Sequence, residues 1–334
     1  MKLLLYDIRE LELNYLLDKI PGNIEPYYIK SPLIESTYID EQHLNAEAIS
    51  VFVSSILDRK ILEKFKNLKF IFLRCVGFSN VDLDYCKKRG ILVFNTPNYG
   101  NSTVAEFVFC LILTLSRKIA LAKKTVIEGT IDQDELIGTE LEGKTIGIIG
   151  GGAIGKKVIE IAKGFNLNVL VCDINKNSIY NYVELDELLK QSDFVSINCP
   201  LNESTKHLIN DQRLALMKKE AVLINTARGE IVDTRALYNA LVNKKISAAA
   251  LDVVECEETL CQTYGKCEKY DALRTNCLKK FFFIQKLIQL PQVIVTPHIA
   301  YNTKEAQERI LDITLFNINE SLNITSGFKN LVLI

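Results

Sequence analysis

The sequence predicts an α/β protein with two doubly wound parallel sheets, on the evidence of two observations. Short aliphatic and β-branched runs alternate with helical stretches along the whole chain, which is typical of parallel sheets. The length of 334 residues also corresponds to two domains, since one domain usually takes roughly 100–200 residues. We therefore expect two sheets, each with its own helices.

The first hundred residues are predicted to form one complete small sheet. Its last helix should end at Gly90, a residue suited to the left-handed C-cap, and Pro97 should end its last strand. The predicted strands are 3–6, 27–29, 48–53, 69–76 and 91–96, and the predicted helices are 10–20, 61–68 and 81–88.

A long helix is predicted at 102–128, after the first sheet. Ser102 or Thr103 is the expected N-cap, with Glu106 in the capping-box position for Thr103. Apolar residues cover most of its circumference, so we expect it to be buried on several sides, between domains or against a second subunit.

The second half of the chain contains six predicted strands, the number in a complete dinucleotide-binding sheet. A closing helix is predicted at 303–322, and 255–290 is the one irregular segment. The strands are predicted at 145–150, 168–173, 194–199, 221–227, 247–254 and 293–296.

Composition excludes several classes of protein. Forty Lys and Arg against forty-one Asp and Glu leave a net charge of −1, which argues against a nucleic-acid partner. The longest apolar run, 107–115, is far short of the ~20 residues that span a bilayer. The first residues lack the cleavage site of a signal peptide, and nine cysteines form no regular framework. These features predict a cytoplasmic protein with reduced thiols.

A glycine-rich loop follows the first strand of the second series. Gly150, Gly152 and Gly155 match the pattern G-x-G-x-x-G between a predicted strand and a predicted helix. Gly150 would permit the tight turn, Gly152 would let the backbone approach a pyrophosphate, and Gly155 would pack the helix against the sheet. The helix N-terminus would add unpaired N–H groups for the phosphates.

The next predicted strand ends in Asp173, where a carboxylate would accept hydrogen bonds from ribose hydroxyls. The same charge would repel a 2′-phosphate, and Lys176 is the only nearby cation. We therefore predict NAD rather than NADP as the cofactor.

Four ionisable residues lie at or after the ends of strands of this second sheet, where ligands of doubly wound proteins bind. Arg228, Glu257 and His298 each follow a predicted strand, and Asp252 lies near the end of one. A guanidinium would hold a substrate carboxylate in a bidentate pair, and an imidazole would give a proton to a ketone oxygen. A neighbouring carboxylate would orient the imidazole and raise its pKa.

Six stretches of the chain resemble the D-isomer-specific 2-hydroxyacid dehydrogenases, in the order of that family. HIAYNT and the TPNYGNSTVAE segment look most like its D-lactate dehydrogenase branch. The stretches are 74–118, 143–158, 198–210, 224–237, 249–257 and 295–310.

The resemblance assigns roles to particular residues. It makes Arg228 the anchor of the substrate carboxylate, His298 the proton donor and Glu257 the partner of His298. It places Val76, Gly77, Tyr99 and Tyr301 at the substrate together with Arg228 and His298. The positions that it implies for NAD contacts are Gly150, Gly152, Ile154, Gly155, Asp173, Cys199, Pro200, Thr205, Thr226, Ala227, Arg228 and Asp252.

The resemblance also implies the domain order. A Rossmann NAD-binding domain, 101–299, would be inserted into a flavodoxin-like substrate domain formed by 1–100 and 300–334, with the helix after Thr103 as a homodimer contact. The implied reaction is reversible reduction of a small 2-oxo acid to the D-2-hydroxy acid, with pyruvate and D-lactate first. Bulkier oxo acids, glyoxylate and hydroxypyruvate are alternatives, as is an NAD-sensing protein like the corepressors of this fold.

The segment between Glu257 and His298 is longer than in most relatives and carries four cysteines. Their spacings do not match the close pairs of zinc sites, so no metal is predicted and surface thiols are favoured. Phe281, Phe282 and Phe283 would either pack this segment onto the cofactor domain or form part of an active-site rim. The four cysteines are Cys256, Cys261, Cys267 and Cys277.

Overall fold

Both ends of the chain belong to the same structural unit. The computed structural model describes residues 1–176, 180–257, 275–323 and 328–332. The chain divides into one unit of Met1–Tyr99 with Asn302–Ile334 and a second unit of Gly100–Tyr301. The second unit is thus an insertion in the first.

The first unit contains a five-stranded sheet. Its described strands are β1 (Lys2–Leu5), β2 (Glu25–Tyr28), β3 (Ala48–Val51), β4 (Phe70–Leu73) and β5 (Leu92–Phe94). Its helices are α1 (Glu10–Leu16), α2 (Arg59–Leu62), α3 (Leu83–Arg89) and, at the end of the chain, α11 (Lys304–Leu322).

All strand pairs recorded in this sheet are parallel, in the order β2-β1-β3-β4-β5, which is that of flavodoxin-like folds. Successive side chains of β1 point to opposite faces, because Leu3 and Leu5 pack in one core and Leu4 in the other. Helices α1 and α11 cover the first face, and α2 and α3 cover the second. The left-handed C-cap at Gly90 is confirmed, with φ of 67°.

The second unit contains a six-stranded parallel sheet. Its described strands are β6 (Thr145–Ile149), β7 (Asn168–Cys172), β8 (Phe194–Ile197), β9 (Val222–Asn225), β10 (Ala248–Leu251) and β11 (Val293–Val295). Its helices are α4 (Asn101–Ser116), α5 (Ile119–Glu128), α6 (Ala153–Gly164), α7 (Leu185–Gln191), α8 (Asp211–Leu214), α9 (Thr234–Val242) and α10 (Thr275–Ile288).

The strand order of this sheet is β11-β10-β9-β8-β6-β7, and Tyr182 adds a single parallel bridge to Val171 beyond β7. With that bridge counted as a short strand, the order is that of a Rossmann sheet. The order reverses between β6 and β8, so the carboxyl ends of these two strands mark the switch point where ligands of such sheets bind. The predicted doubly wound α/β class is therefore confirmed.

The predicted long helix at 102–128 is wrong in two respects. The chain forms two helices, α4 and α5, because Lys118 between them adopts a left-handed conformation with φ of 50°. Helix α4 begins one residue earlier than predicted, with Gly100 as N-cap, so neither Ser102 nor Thr103 caps it. Within the described ranges, no helix is long and apolar enough to cross a bilayer.

The segment 255–290 is less irregular than predicted, because α10 occupies its second half. Ile284 and Leu287 of this helix are buried in the core of the second unit. Phe283 packs against Tyr238 of α9 at 5.7 Å between ring centroids, so this aromatic side chain packs the segment onto the unit that carries the glycine loop. Cys261 and Cys267 lie outside the described residues.

Candidate active site

The glycine-rich loop connects β6 to α6 and needs glycine at two of its positions. Gly150 has φ of 96°, and a Cβ there would lie 2.7 Å from the backbone nitrogen of Cys199. A Cβ on Gly155 would lie 2.0 Å from the carbonyl oxygen of Gly150. Gly152 is the N-cap of α6, and the space around its Cβ position is open. The loop therefore fits a pyrophosphate at the helix N-terminus.

Asp173 lies beside this loop at the end of β7. Its Oδ2 accepts a hydrogen bond from the backbone N–H of Gly151 at 2.6 Å, and its Oδ1 accepts one from Asn175 at 2.7 Å. Lys176, the nearby cation, is paired with Glu184 at 2.8 Å. Asp173 therefore lies next to the loop without Lys176 as a partner, in the place where a carboxylate accepts from a ribose diol and repels a 2′-phosphate.

The other predicted NAD positions lie at the carboxyl ends of neighbouring strands or in the helix after the loop. Cys199 follows β8. Burial raises the pKa of its thiol to about 11, so this side chain is uncharged at neutral pH. Thr205 donates its hydroxyl to the carbonyl of Pro200 at 2.7 Å and so closes the turn after β8. Ile154 lies in the first turn of α6 and packs on the core.

Arg228 is exposed at the end of a turn that follows β9 through Thr226 and Ala227. The buried side chain of Asn225 holds this turn, since its Oδ1 accepts from the Ala227 N–H at 3.0 Å and its Nδ2 donates to the Arg228 carbonyl at 2.9 Å. The Nη1 of Arg228 donates to the Ala227 carbonyl at 2.7 Å. The guanidinium is thus placed at the sheet edge and presented to solvent.

Asp252 fixes the loop that carries His298. Its buried carboxylate accepts hydrogen bonds from the hydroxyl of Thr296 at 2.6 Å and from the backbone N–H groups of Ile299 at 2.9 Å and Ala300 at 2.8 Å. Its carbonyl accepts from the N–H of His298 at 2.9 Å. His298 itself has φ of 52°, a conformation that costs free energy outside glycine and is maintained by these contacts.

His298 and Glu257 form an ion pair at this edge. The Nδ1 of His298 lies 3.0 Å from Oε1 of Glu257, and both side chains are 42% exposed. An ionised carboxylate accepts only, so Nδ1 carries a proton and Nε2 is the ring nitrogen that Glu257 does not engage. The hydrogen bond to Glu257 raises the pKa of His298, in spite of partial burial and the charge of Arg228, which lower it.

The charges of Glu257, Asp252 and Arg228 therefore all affect the pKa of His298, and all four residues belong to the second unit. The ring of Tyr301 stands edge-on to His298, with 6.4 Å between the ring centroids. A guanidinium, a carboxylate-paired imidazole and a dinucleotide loop on one sheet edge suit the transfer of a hydride and a proton at a carbon that bears a carboxylate.

The remaining candidates, Val76, Gly77 and Tyr99, lie in the first unit. Val76 and Gly77 follow β4, and the Val76 carbonyl accepts from Nδ2 of Asn95 at 2.9 Å. The carbonyl of Tyr99 accepts from Nε of Arg309 at 2.7 Å, so α11 holds this residue in place.

Comparison with known proteins identifies the family of this chain. The family described as "D-isomer specific 2-hydroxyacid dehydrogenase, NAD binding domain" matches residues 109–300. The chain belongs to this family. It is therefore an NAD-dependent oxidoreductase acting on the CH–OH group of D-2-hydroxy acids.

Relatives of the dehydrogenase cover three quarters or more of it. D-lactate dehydrogenase kk1H of Curvularia clavata is 35% identical over 96% of this chain and 92% of its own length. A hydroxypyruvate reductase of Thermotoga maritima is 40% identical over 75% of this chain and 76% of its own. The D-lactate dehydrogenase of Aquifex aeolicus, solved in complex with NAD and lactic acid, superposes with a TM-score of 0.82 at 36% identity, covering 96% of this chain and 95% of that one.

The dehydrogenase also contains a buried polar cluster that the sequence did not reveal. The carboxylate of Glu255, 2% exposed, accepts from Lys280 at 2.6 Å, from His207 at 2.8 Å and from the N–H of Thr234 at 3.0 Å. Burial opposes ionisation of this carboxyl, but the three donors outweigh it and lower the pKa of Glu255. The cluster fixes the chain two residues before Glu257.

Gly229 is a second residue that the sequence did not single out. A Cβ there would lie 2.0 Å from the carbonyl carbon of Val254. Glycine is therefore required at this position, where the turn that carries Arg228 passes the segment that leads to Glu257. This close approach brings the two parts of the site together. Its place directly after Arg228 was the one signal available in the sequence.

The prediction of reduced surface thiols is wrong for two cysteines of the dehydrogenase. Cys256 and Cys277 form a disulfide with 5.8 Å between their Cα atoms. The prediction failed because their separation of 21 residues matches no short-range motif, and only the packing of α10 brings them together.

The substitution Glu257→Gln tests the electrostatic role of the ion pair. The neutral amide no longer stabilises the imidazolium, so the pKa of His298 should fall. With His298 as the predicted proton donor, oxo acid reduction would require its protonated form, so we expect kcat/KM for reduction to decline at lower pH than in the wild type. Oxidation of the hydroxy acid would require neutral His298, so the pH at which kcat/KM for oxidation rises should also be lower. The measurement is kcat/KM for both directions from about pH 5 to pH 9, and coincident profiles would contradict the assigned role.

Proposed function

We propose that the dehydrogenase catalyses the reversible reduction of pyruvate to D-lactate. The observation that carries this proposal is the Glu257–His298 ion pair on the same sheet edge as Arg228. NADH, when bound at the glycine loop, supplies the hydride for C2 of the substrate. The guanidinium of Arg228 holds the substrate carboxylate through two parallel hydrogen bonds.

His298 supplies the proton that balances the hydride. As C2 gains the hydride, the carbonyl oxygen develops negative charge and takes the proton from Nε2, which leaves a neutral imidazole with Nδ1–H still bonded to Glu257. In the reverse direction, neutral His298 accepts the hydroxyl proton of D-lactate. Because Asp252 fixes the backbone on both sides of His298, the ring keeps its place in both directions.

Pyruvate is favoured because two relatives that align over nearly the whole chain are D-lactate dehydrogenases, one of them solved with lactic acid. The relative named hydroxypyruvate reductase, aligned over three quarters of the chain, supports hydroxypyruvate as the second candidate. The two substrates differ by one hydroxyl on C3, so the residues that surround C3 decide between them.

The first unit is proposed to be the substrate domain, with Val76, Gly77 and Tyr99 as further substrate-contacting residues. The predicted homodimer also remains a proposal. The side chains of α4 are largely buried within the second unit, whereas Ile119, Val126 and Ile127 of α5 are more than half exposed. These side chains of α5 are therefore the apolar surface that supports a second subunit.

A panel of 2-oxo acids with NADH tests the proposed substrate. Initial rates at the nicotinamide absorbance should give the highest kcat/KM for pyruvate, followed by hydroxypyruvate, with glyoxylate, 2-oxoisocaproate and phenylpyruvate below them. NADPH should be at least tenfold poorer than NADH because Asp173 repels the 2′-phosphate. A higher kcat/KM for hydroxypyruvate or for a bulkier acid would replace pyruvate in the proposal.

A further inference from the structure

We propose that the Cys256–Cys277 disulfide is a redox control site that holds Glu257 against His298 and releases it when a dithiol reduces it. The control site comprises the two cysteines and the residues that anchor them, Glu255 and α10. Cys256 is the residue directly before Glu257, and Cys277 lies in the first turn of α10. The proposed effect on turnover rests on the proposed function, whereas the effect on His298 itself does not.

The disulfide helps to maintain an unusual backbone conformation at Cys256. Cys256 has φ of 51°, in the left-handed region that residues with a Cβ rarely adopt. Such a conformation costs of order 1 kcal/mol or more and persists only where other contacts maintain it. The covalent bond to α10 is such a contact. Without it, rotation of Cys256 toward the ordinary negative φ region redirects Glu257, the next residue.

Both ends of the disulfide are connected to buried parts of the second unit. On the chain side, Glu255 is buried and fixed by Lys280, His207 and Thr234, so it serves as a fixed point one residue before Cys256. On the helix side, Ile284 and Leu287 anchor α10 in the core. A change at Cys256 is therefore expected to move Glu257 rather than Glu255 or α10.

The reaction is thiol–disulfide exchange with a protein or small-molecule dithiol. One thiolate of the reductant attacks a sulfur of the disulfide and displaces the other as a thiolate, which takes up a proton. The second thiol of the reductant then displaces the remaining sulfur and closes the reductant's own disulfide. Two electrons and two protons reach the chain, which gains two thiols. Both cysteines are half-buried, so a reductant has access to them.

The consequence for His298 follows from the charges that face it. Glu257 and Asp252 favour the imidazolium, Arg228 opposes it, and the ring of Tyr301 stands edge-on. Asp252 keeps its three hydrogen bonds whatever happens at Cys256, because Thr296, Ile299 and Ala300 all lie in the loop of His298. Reduction therefore removes the contribution of Glu257 and leaves the others. The proton of His298 is then lost at lower pH.

The first experiment measures the disulfide and His298 without substrate. Peptide mapping of the unreduced protein by mass spectrometry should show a Cys256–Cys277 cross-link. The His298 pKa is then followed by NMR of the imidazole Cε1–H signals, before and after treatment with dithiothreitol. The chain has only three histidines, so His298→Ala assigns the signal. The pKa of His298 should be lower in the reduced protein and should return to its first value on reoxidation.

The second experiment measures turnover in the same two states. Reduction should lower kcat/KM for pyruvate about tenfold or more at neutral to alkaline pH, because a misplaced partner leaves His298 poorly oriented and less protonated. The double variant Cys256→Ser/Cys277→Ser is the matched control. It should behave like reduced wild type and should not respond to dithiothreitol, which separates this disulfide from the other thiols. In Glu257→Gln, reduction should leave the His298 pKa unchanged.

Two results would overturn the proposal. One is an unreduced protein whose Cys256 and Cys277 are free thiols in the peptide map. The other is a disulfide that dithiothreitol cleaves while the His298 pKa and kcat/KM stay the same. Absence of turnover with every oxo acid would count against the proposed function alone, because the NMR titration would still decide whether the disulfide controls His298.

Discussion

Replacement of His298 by Ala is expected to lower kcat for pyruvate reduction by about 10²- to 10⁴-fold, the range that a general acid contributes. The loss follows because neither charged neighbour of His298 replaces it as a proton donor: a guanidinium such as that of Arg228 does not release a proton at neutral pH, and an ionised carboxylate such as Glu257 only accepts from Nδ1. The affinity for NADH should be unchanged, since the glycine loop and Asp173 lie on β6 and β7.

The measurement combines steady-state kinetics with NADH titration by fluorescence. His43→Ala is the matched control, because His43 lies in the first unit beside Tyr27 and outside the proposed site. It should retain the wild-type kcat. A His298→Ala protein with kcat within a few-fold of the wild type would remove His298 from the role of proton donor.

The second large effect is expected from Arg228→Lys. Lysine keeps the charge but not the planar pair of donors, so one of two charge-assisted hydrogen bonds to the substrate carboxylate is lost. Such a bond contributes about 1.5–3 kcal/mol, which corresponds to a rise in KM for pyruvate of about 10- to 150-fold.

Arg235→Lys provides the control for this substitution. Arg235 is an exposed arginine of α9 in the same unit, and its replacement should leave KM unchanged. The KM for NADH should change little in Arg235→Lys. If Arg228→Lys kept the wild-type KM for pyruvate, another residue would have to anchor the carboxylate.

The sequence was sufficient for the features that depend on one residue type or on a short pattern. The glycine loop was predictable because only glycine fits at Gly150 and Gly155, whose Cβ positions collide with backbone atoms. The strand interiors were predictable because buried parallel strands are continuously apolar. The strand ends were predicted too late, at residue 227 for β9, for example, which ends at Asn225. Thr226 and Ala227 belong instead to the turn that presents Arg228.

The features that the sequence did not predict depend mainly on contacts between residues that are far apart in the chain. Asn225 and Glu255 are polar residues in apolar surroundings. Their structural role depends on the hydrogen-bond donors and acceptors that folding brings to them. The break at Lys118 was hidden because the residues on both sides suit a helix equally well. The disulfide was hidden because it depends on where α10 packs.

The division of the first unit between the two ends of the chain has a consequence for its folding during synthesis. The ribosome has made all of Gly100–Tyr301 before α11 exists, and domains generally fold as units while they are made. Until α11 arrives, the face of the first sheet that includes Leu3, Leu5 and Phe72 has no helix from the end of the chain to cover it. The nascent protein therefore exposes part of this apolar face at a time when the insert already has all its residues. That interval is when a chaperone, or another nascent copy, has the most surface to bind.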